Sequence, residues 1–398
     1  MTILQELCST PTAPFAEHRV VDYARRFARV RPNLRLSSDE HGNLLLELNS
    51  AKRGVPRWVF AAHMDHPGFV ADRMAGAKIL EARFHGWVKT EFFQNERVRF
   101  FDDKDGSEVR AIIDGYTVDN ERGVPGIVRF RVARPVTPGS PGMWDQGEGR
   151  VKGGKFYSRV CDDLAGAAAA LTMLDRLAKR PPAAPVAVLL TRAEEEGFIG
   201  AIAASLTPKL LRKTDRVIAI ETSAAQPYAP QGEGAIIRVG DRTSVFNSGL
   251  TYFLQTQAAA LAKRDKSFKS QRALMPGGTC EATVYDVYGF MAASICVALG
   301  NYHNMDAARG KIGPEFIDLA DWNNMVKLFV QVARNGHLYK EGHGELKARL
   351  EKRFAKVKDL LQRVALPHLQ PGRGTTAGGG PSRSTARRLR LPRPEGFA

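Results

Sequence analysis

Four cysteines in 398 residues, Cys8, Cys161, Cys280 and Cys296, stand far apart and form no Cys-x-x-Cys pair. That excludes a disulfide frame and a thiolate metal site, and points to free thiols in a reducing cytoplasm. No apolar run approaches the roughly 20 residues of a membrane span. The opening Met1-Thr2-Ile3-Leu4-Gln5-Glu6 lacks the basic and then apolar regions of a secretory signal. The expectation is a cytoplasmic protein with no membrane partner. Internal repeats are absent. Acidic residues are outnumbered, 42 against 58 Lys and Arg, for a net charge of +16. Six Arg and one Glu fall within Pro371–Ala398, so the tail carries +5 and the remainder +11. No aromatic-interleaved basic patch accompanies this charge, so nucleic acid is not an expected partner.

What is present is an alternation of strand-like and helix-like segments. Val20, Val21, Tyr23, Ala24 and Phe27 predict a helix over Pro14–Val30, with Pro14 in its first turn. Leu44–Leu48 and Arg57–Ala62 read as strands, the second apolar enough for the centre of a sheet. From about Asp72 to Arg150 the pattern becomes β-rich, with strands at 97–101, 108–113 and 126–132 and turns at Asp105-Gly106 and Asn120–Gly123. The loop Pro138–Gly142 closes it. An Ala-rich helix follows at Leu164–Lys179, then apolar strands at Val186–Leu190 and Val217–Ile220 and a helix near Leu250–Arg264. Ile317, Ala320, Met325, Leu328, Phe329 and Val332 mark one late helix. Leu346, Leu350, Phe354, Val357, Leu361 and Val364 mark a second, which is amphipathic. The expected fold is α/β, a mixed central sheet flanked by helices, with an inserted small β-barrel-like domain. The expected boundaries are 1–71 and 151–340 for a discontinuous catalytic domain and 72–150 for the insertion. A C-terminal helix over 341–370 and a disordered basic tail over 371–398 complete the chain.

Acids and histidines recur where these strands end: His63-Met64-Asp65, Asp162-Asp163, Glu194-Glu195-Glu196, Glu221 and His303. Carboxyl ends of strands are where open α/β sheets place their sites. A hydrolytic metal pair needs imidazoles, a shared carboxylate and a further carboxylate to take a proton from water. Alternation on a strand puts residues 63 and 65 on the same face, where Asp65 could accept the second ring N–H of His63. Each piece alone has an ordinary reading. Two acids at a helix start are favourable caps, and single histidines are commonly structural. Three adjacent glutamates after an apolar strand are harder to explain as surface.

The ordered set resembles the co-catalytic zinc aminopeptidase family that includes glutamyl aminopeptidase, deblocking aminopeptidase and the TET peptidases, within the zinc exopeptidase clan. The matching residues are Ala62–Phe69, Asp162–Gly166, Glu194–Ala201, Glu221-Thr222, Gly277-Gly278-Thr279 and Tyr302-His303. The resemblance implies a dinuclear-metal aminopeptidase. His63 and Glu221 would hold one metal, His303 and Glu195 the other, and Asp162 would bridge them. Glu194 would be the general base acting on a metal-bridging water, and Asp65, as the orienter of His63, counts with it as a catalytic residue. Two divalent ions per chain are implied, zinc by donor type, though the same N/O set suits cobalt or manganese. The resemblance also implies a non-proline cis peptide after Asp162, peptide substrates, and an insertion that caps the site or builds a homo-oligomer. The chain departs from the family at His66-Pro67, Leu164, Glu221 and Cys280-Glu281, which bear on substrate class. His66, His85 and Cys161 are read as supporting residues. Two other functions stay open: a deacylase or carboxypeptidase-like amidohydrolase of the same clan, and a partner- or nucleic-acid-binding protein using the basic C-terminal region.

Overall fold

A computed structural model describes residues 2–49, 55–207, 209–340 and 343–363. It forms two units, Met1–His343 and a C-terminal segment from Gly344. The first unit begins with helices α1 (Thr2–Ser9) and α2 (His18–Arg29) and strands β1 (Leu34–Ser38), β2 (Leu44–Leu48) and β3 (Trp58–His63). Six strands then make a closed barrel: β4 (Gly68–Gly76), β5 (Ile79–His85), β6 (Arg97–Phe101), β7 (Glu108–Asp119), β8 (Val124–Val132) and β9 (Pro141–Trp144). The chain returns through β10 (Arg150–Lys152), β11 (Lys155–Ser158), α3 (Leu164–Ala178), β12 (Val186–Thr191), α4 (Ile199–Leu206), β13 (Arg216–Ala224) and β14 (Ala235–Gly240). It continues with α5 (Ser248–Arg264), β15 (Ser270–Leu274), α6 (Glu281–Val287) and β16 (Met291–Gly300). A two-stranded hairpin of β17 (Met305–Asp306) and β18 (Lys311–Ile312), then β19 (Glu315–Asp318) and α7 (Leu319–Asn335), complete the unit.

The central sheet has 11 strands along β1-β2-β12-β3-β13-β16-β19-β11-β10, with β14 also on β16 and β15 on β14. Its middle, β12-β3-β13-β16, is parallel and its outer pairings are antiparallel apart from the parallel β14-β15 pair, so the sheet is mixed. Every residue of β3 and β12 is buried, because helices cover both faces. One face packs Phe60, Val188 and Ile218 against α3 and α7. The other packs Val59, Ala187 and Val217 against Ala201, Ala204, Ala282 and Tyr285 of α4 and α6. The run Ala167–Ala170 is wholly buried in α3, where its small side chains let the helix lie close on the sheet. The barrel has its own core around Phe69, whose ring meets Phe84, Phe130 and Trp144 edge-on or tilted at 5.0–5.2 Å. Truncating such a ring to Ala costs about 3–5 kcal/mol.

The α/β sheet and the β-barrel insertion agree with expectation, while several local readings need correction. The N-terminal helix begins at His18, not Pro14, because Phe15 takes φ +68° and breaks the chain direction there. Barrel strand β4 starts at Gly68. Pro141 and Gly142 lie in β9, not in a loop; a Cβ at Gly142 would meet the Phe100 ring at 2.6 Å, so only glycine lets the two approach. Ile317 belongs to β19, and the helix after it starts at Leu319 with Asp318 accepting from the Ala320 and Asp321 amides as cap. The C-terminal helix, α8, runs Gly344–Arg363; the rest of its expected length and the basic tail lie outside the described residues.

Candidate metal centre and active site

The parallel order brings three strand ends side by side. His63 ends β3 and pairs in register with Thr191, which ends β12; β13 lies on the other side of β3 and carries Glu221. Glu221 sits inside its strand, three residues before the end. His303 enters from the turn after β16, with φ +51°, and is 3% exposed. Asp162 precedes α3, joined to Asp163 by the expected non-proline cis peptide. All five expected metal-binding residues therefore meet at one cavity of about 280 Å³, with Glu194 on its wall.

Their donor atoms fall into overlapping sets. His63, Asp162 and Glu221 form one, Asp162, Glu195 and His303 another, each with donors within 4.8 Å of one another. A third set, His63, Glu194 and Glu195, also meets that limit. Asp162 is common to the first two, and its oxygens face opposite ways. Oδ1 lies 3.6 Å from His63 Nε2 and Oδ2 3.8 Å from His303 Nε2. Glu195 Oε2 is 3.2 Å from His303 Nε2. Both imidazoles are anchored at the other nitrogen, His63 Nδ1 by the Asp65 carbonyl at 3.2 Å and His303 Nδ1 by the Trp87 carbonyl at 2.6 Å. A proton held at Nδ1 leaves Nε2 as the inward lone pair, the tautomer a metal ligand needs.

Electrostatics test whether these residues fit cations. Glu195 Oε1, Glu221 Oε1 and both oxygens of Asp163 are buried without a hydrogen-bond partner. Burial raises the Glu221 carboxyl to about 8 and the Glu194 and Asp163 carboxyls well above the usual range, neighbouring acids adding to the effect. Burial would lower both histidines, yet the carboxylates beside them outweigh it; His63 is raised and His303 reaches about 9. A cage with this surplus of buried acid is out of balance alone and balanced by divalent cations. The donor set and the orphaned oxygens fit that group.

Asp65 does not lie on the strand with His63, since β3 ends at residue 63. Its carboxylate, wholly buried, approaches His63 Nδ1 at 3.4 Å, but its hydrogen bonds are to the turn that follows β12. Oδ1 accepts from the Glu194 amide and Oδ2 from the Glu195 amide, both at 3.0 Å. Ala193, at φ +49°, starts that turn, and its amide donates to Glu17 at 3.0 Å. The glutamates divide: Glu194 and Glu195 turn inward, while Glu196 accepts from the Gly86 amide and Arg122 on the barrel. His66 is a supporting residue, holding the Asp162 carbonyl at 2.7 Å and Asn304 at 2.9 Å. His85 faces Glu196 at 3.4 Å, and the Cys161 amide donates to Glu315.

Sequence reading gave no role to three contributors, of which only Thr222 stood in a matching motif. Glu315 accepts the amides of Cys161, Asp162 and His303, so one buried carboxylate positions ligands from two loops. Thr222 donates to Asp162 Oδ1 at 2.9 Å. Arg238, on β14, is the one Lys or Arg lining the cavity among the described residues and is 3% exposed. Its Nε has no partner, and no carboxylate pairs with it among the described residues. A lone Arg inside Ala235-Ile236-Ile237-Arg238-Val239 was the available signal.

Residues 132–328 match the family model of M42 glutamyl aminopeptidase. The match spans just under half of the chain and makes it similar, over that stretch, to peptide-bond hydrolases of this family. By sequence, no curated protein matches it. By structure, the M42-type fold is shared with a TET aminopeptidase from a marine sediment Thaumarchaeota archaeon (TM-score 0.69, 17% identity, 84% of this chain and 96% of that one). It is shared with the TET1 peptidase of Pyrococcus horikoshii (0.68, 19%, 83% and 98%), described as assembling into a tetrahedron or a large octahedral shell. An aminopeptidase from Desulfurococcus kamchatkensis gives 0.67, 20%, 84% and 94%.

Proposed function

We propose that this peptide-bond hydrolase is a dinuclear metal aminopeptidase. His63 and Glu221 would hold one divalent ion, His303 and Glu195 the second, and Asp162 would bridge them. The observation that carries the reading is the pair of Asp162 oxygens aimed at two different histidine Nε2 atoms. The ions, zinc by donor type, would supply Lewis acidity toward the scissile carbonyl and make water more acidic. Glu194 Oε2 stands 3.9 Å from His63 Nε2 at the edge of both donor sets, placed to take a proton from the attacking water and return it to the leaving amine. Asp65 fixes that carboxylate through the backbone, as a positioning residue. This assigns Glu194 as base in preference to the ligand role that the third donor set would give it.

Arg238 supports an acidic N-terminal residue as the preferred substrate. Burial works against its charge, but its surroundings, Cys280 and Cys296 and then Glu221 and Asp241, raise it on balance, and a guanidinium stays protonated in any case. A guanidinium lining the cavity, with no carboxylate in a salt bridge to it among the described residues, can be completed by a substrate carboxylate. The matched family carries the name glutamyl aminopeptidase. The assembly described for the Pyrococcus relative supports a homo-oligomer here too. The test compares aminoacyl chromogenic amides with a free amine against the same compounds N-acetylated. Hydrolysis confined to the free amine is expected; equal cleavage of the blocked compounds would move the assignment to the deacylase reading.

A further inference from the structure

Among the described residues an exposed apolar stripe lies on α8, where the peptidase chemistry has no use for it. Leu350, Phe354, Val357, Leu360 and Leu361 are 56%, 58%, 43%, 58% and 64% exposed. At about 100° per residue they fall within one arc of roughly 120°. Basic side chains run along both edges of that arc, Lys347 and Lys358 on one side, Arg349 and Lys356 on the other. Across Gly344–Arg363 there are seven basic and three acidic residues, a net charge of +4. The sequence beyond Pro371 adds six Arg and one Glu.

Charge pattern decides among occupants. The spacing 350, 354, 357, 361 would also suit a coiled coil with a second copy. Pairing two copies brings two +4 helices together, and a parallel pair sets Arg353 against Lys358 of its partner. A groove in another protein would enclose Arg353, which projects between Leu360 and Val357 within the apolar arc. Nucleic acid would use the charge and leave the apolar stripe wet. An acidic lipid surface satisfies all the features. The apolar arc enters the acyl boundary, the flanking cations meet headgroups, and Arg353 reaches back to them along its own stem. We infer that α8 lies on anionic membrane surfaces, as a peripheral anchor and not a span. This agrees with the lack, among the described residues, of any helix long and apolar enough to cross a membrane. It departs from the sequence expectation of no membrane partner, which tested only for spanning segments.

The experiment is co-sedimentation of the full chain with phosphatidylcholine vesicles, with and without 30 mol% phosphatidylglycerol, at low and at high salt. The comparison is with the double variant Leu350→Glu, Phe354→Glu, whose sites are exposed and outside the active-site cavity. The expected result is at least tenfold tighter binding to the acidic vesicles, weakened by salt. The variant should lose it while keeping wild-type hydrolysis and circular dichroism. Binding to neither vesicle would overturn the proposal. So would binding that the variant retains, which would assign it to the tail's charge. A sedimentation coefficient that rises with protein concentration in wild type alone, without vesicle binding, would replace lipid by a second copy as occupant.

Discussion

Asp65→Asn should disable the site without touching a metal donor. The native carboxylate is wholly buried and accepts two backbone N–H bonds of 3.0 Å, one from each inward glutamate. The amide keeps one acceptor oxygen and turns an NH2 toward the other N–H, so one charge-assisted bond is lost and a donor faces a donor. Hydrogen bonds to charged groups contribute about 1.5–3 kcal/mol each, and an unsatisfied buried donor costs a similar amount. A loss of about 2–4 kcal/mol in unfolding free energy is therefore expected. The turn that relaxes carries Glu194, and misplacement by about 1 Å costs on the order of 100-fold in rate. The expected kinetic result is a fall in kcat of about that size with a smaller change in KM. Steady-state hydrolysis of a glutamyl chromogenic amide and urea denaturation followed by fluorescence would check both. Wild-type kcat and stability in Asp65→Asn would refute the claim that this carboxylate holds the turn.

Arg238→Gln should lower kcat/KM for a glutamyl amide by about 10–100-fold and leave a leucyl amide within a few-fold, since one charge-assisted contact is removed; parallel losses on both substrates would deny Arg238 a role in selectivity. Glu281 supplies a pH test in metal-free protein. Burial, offset in part by Thr191, His63 and Tyr285, lifts its carboxyl from 4.5 to about 7. The native state therefore holds a proton that the unfolded chain releases. Stability falls as pH rises between those two values, and the whole penalty is present above pH 7. Glu281→Gln should thus stabilise the chain by up to about 3 kcal/mol at pH 8 and by much less at pH 5. Denaturation midpoints at the two pH values measure it, and an equal effect at both would contradict the raised carboxyl.

The sheet was readable because β3, β12 and β13 are short, apolar and buried on both faces, so their composition alone marks them as central. The barrel was readable from the alternating β7 and β8, whose residues point by turns into the Phe69 core and to solvent. The candidate ligands were legible as an ordered set, because they follow apolar runs of sequence or, like Asp162, open a helix. Their contacts were not. Asp65 was placed on the same face as His63 by strand alternation, yet the strand had already ended. Glu315 and Thr222 act through tertiary bonds across 153 and 60 residues of chain, and no local pattern records such distances. Phe15 at positive φ shows the same limit at short range, since helix periodicity does not reveal where a neighbouring turn forces the helix to begin.

The most direct test of the central claim is metal content by elemental analysis beside aminopeptidase activity, for wild type and Glu194→Gln. The account predicts about two divalent ions per chain in both proteins. Activity should be present in wild type and reduced by at least 1,000-fold in the variant, since the lost carboxylate is the proton acceptor. Loss of one ion in Glu194→Gln would make Glu194 a ligand, and full activity with both ions retained would contradict the proposed mechanism.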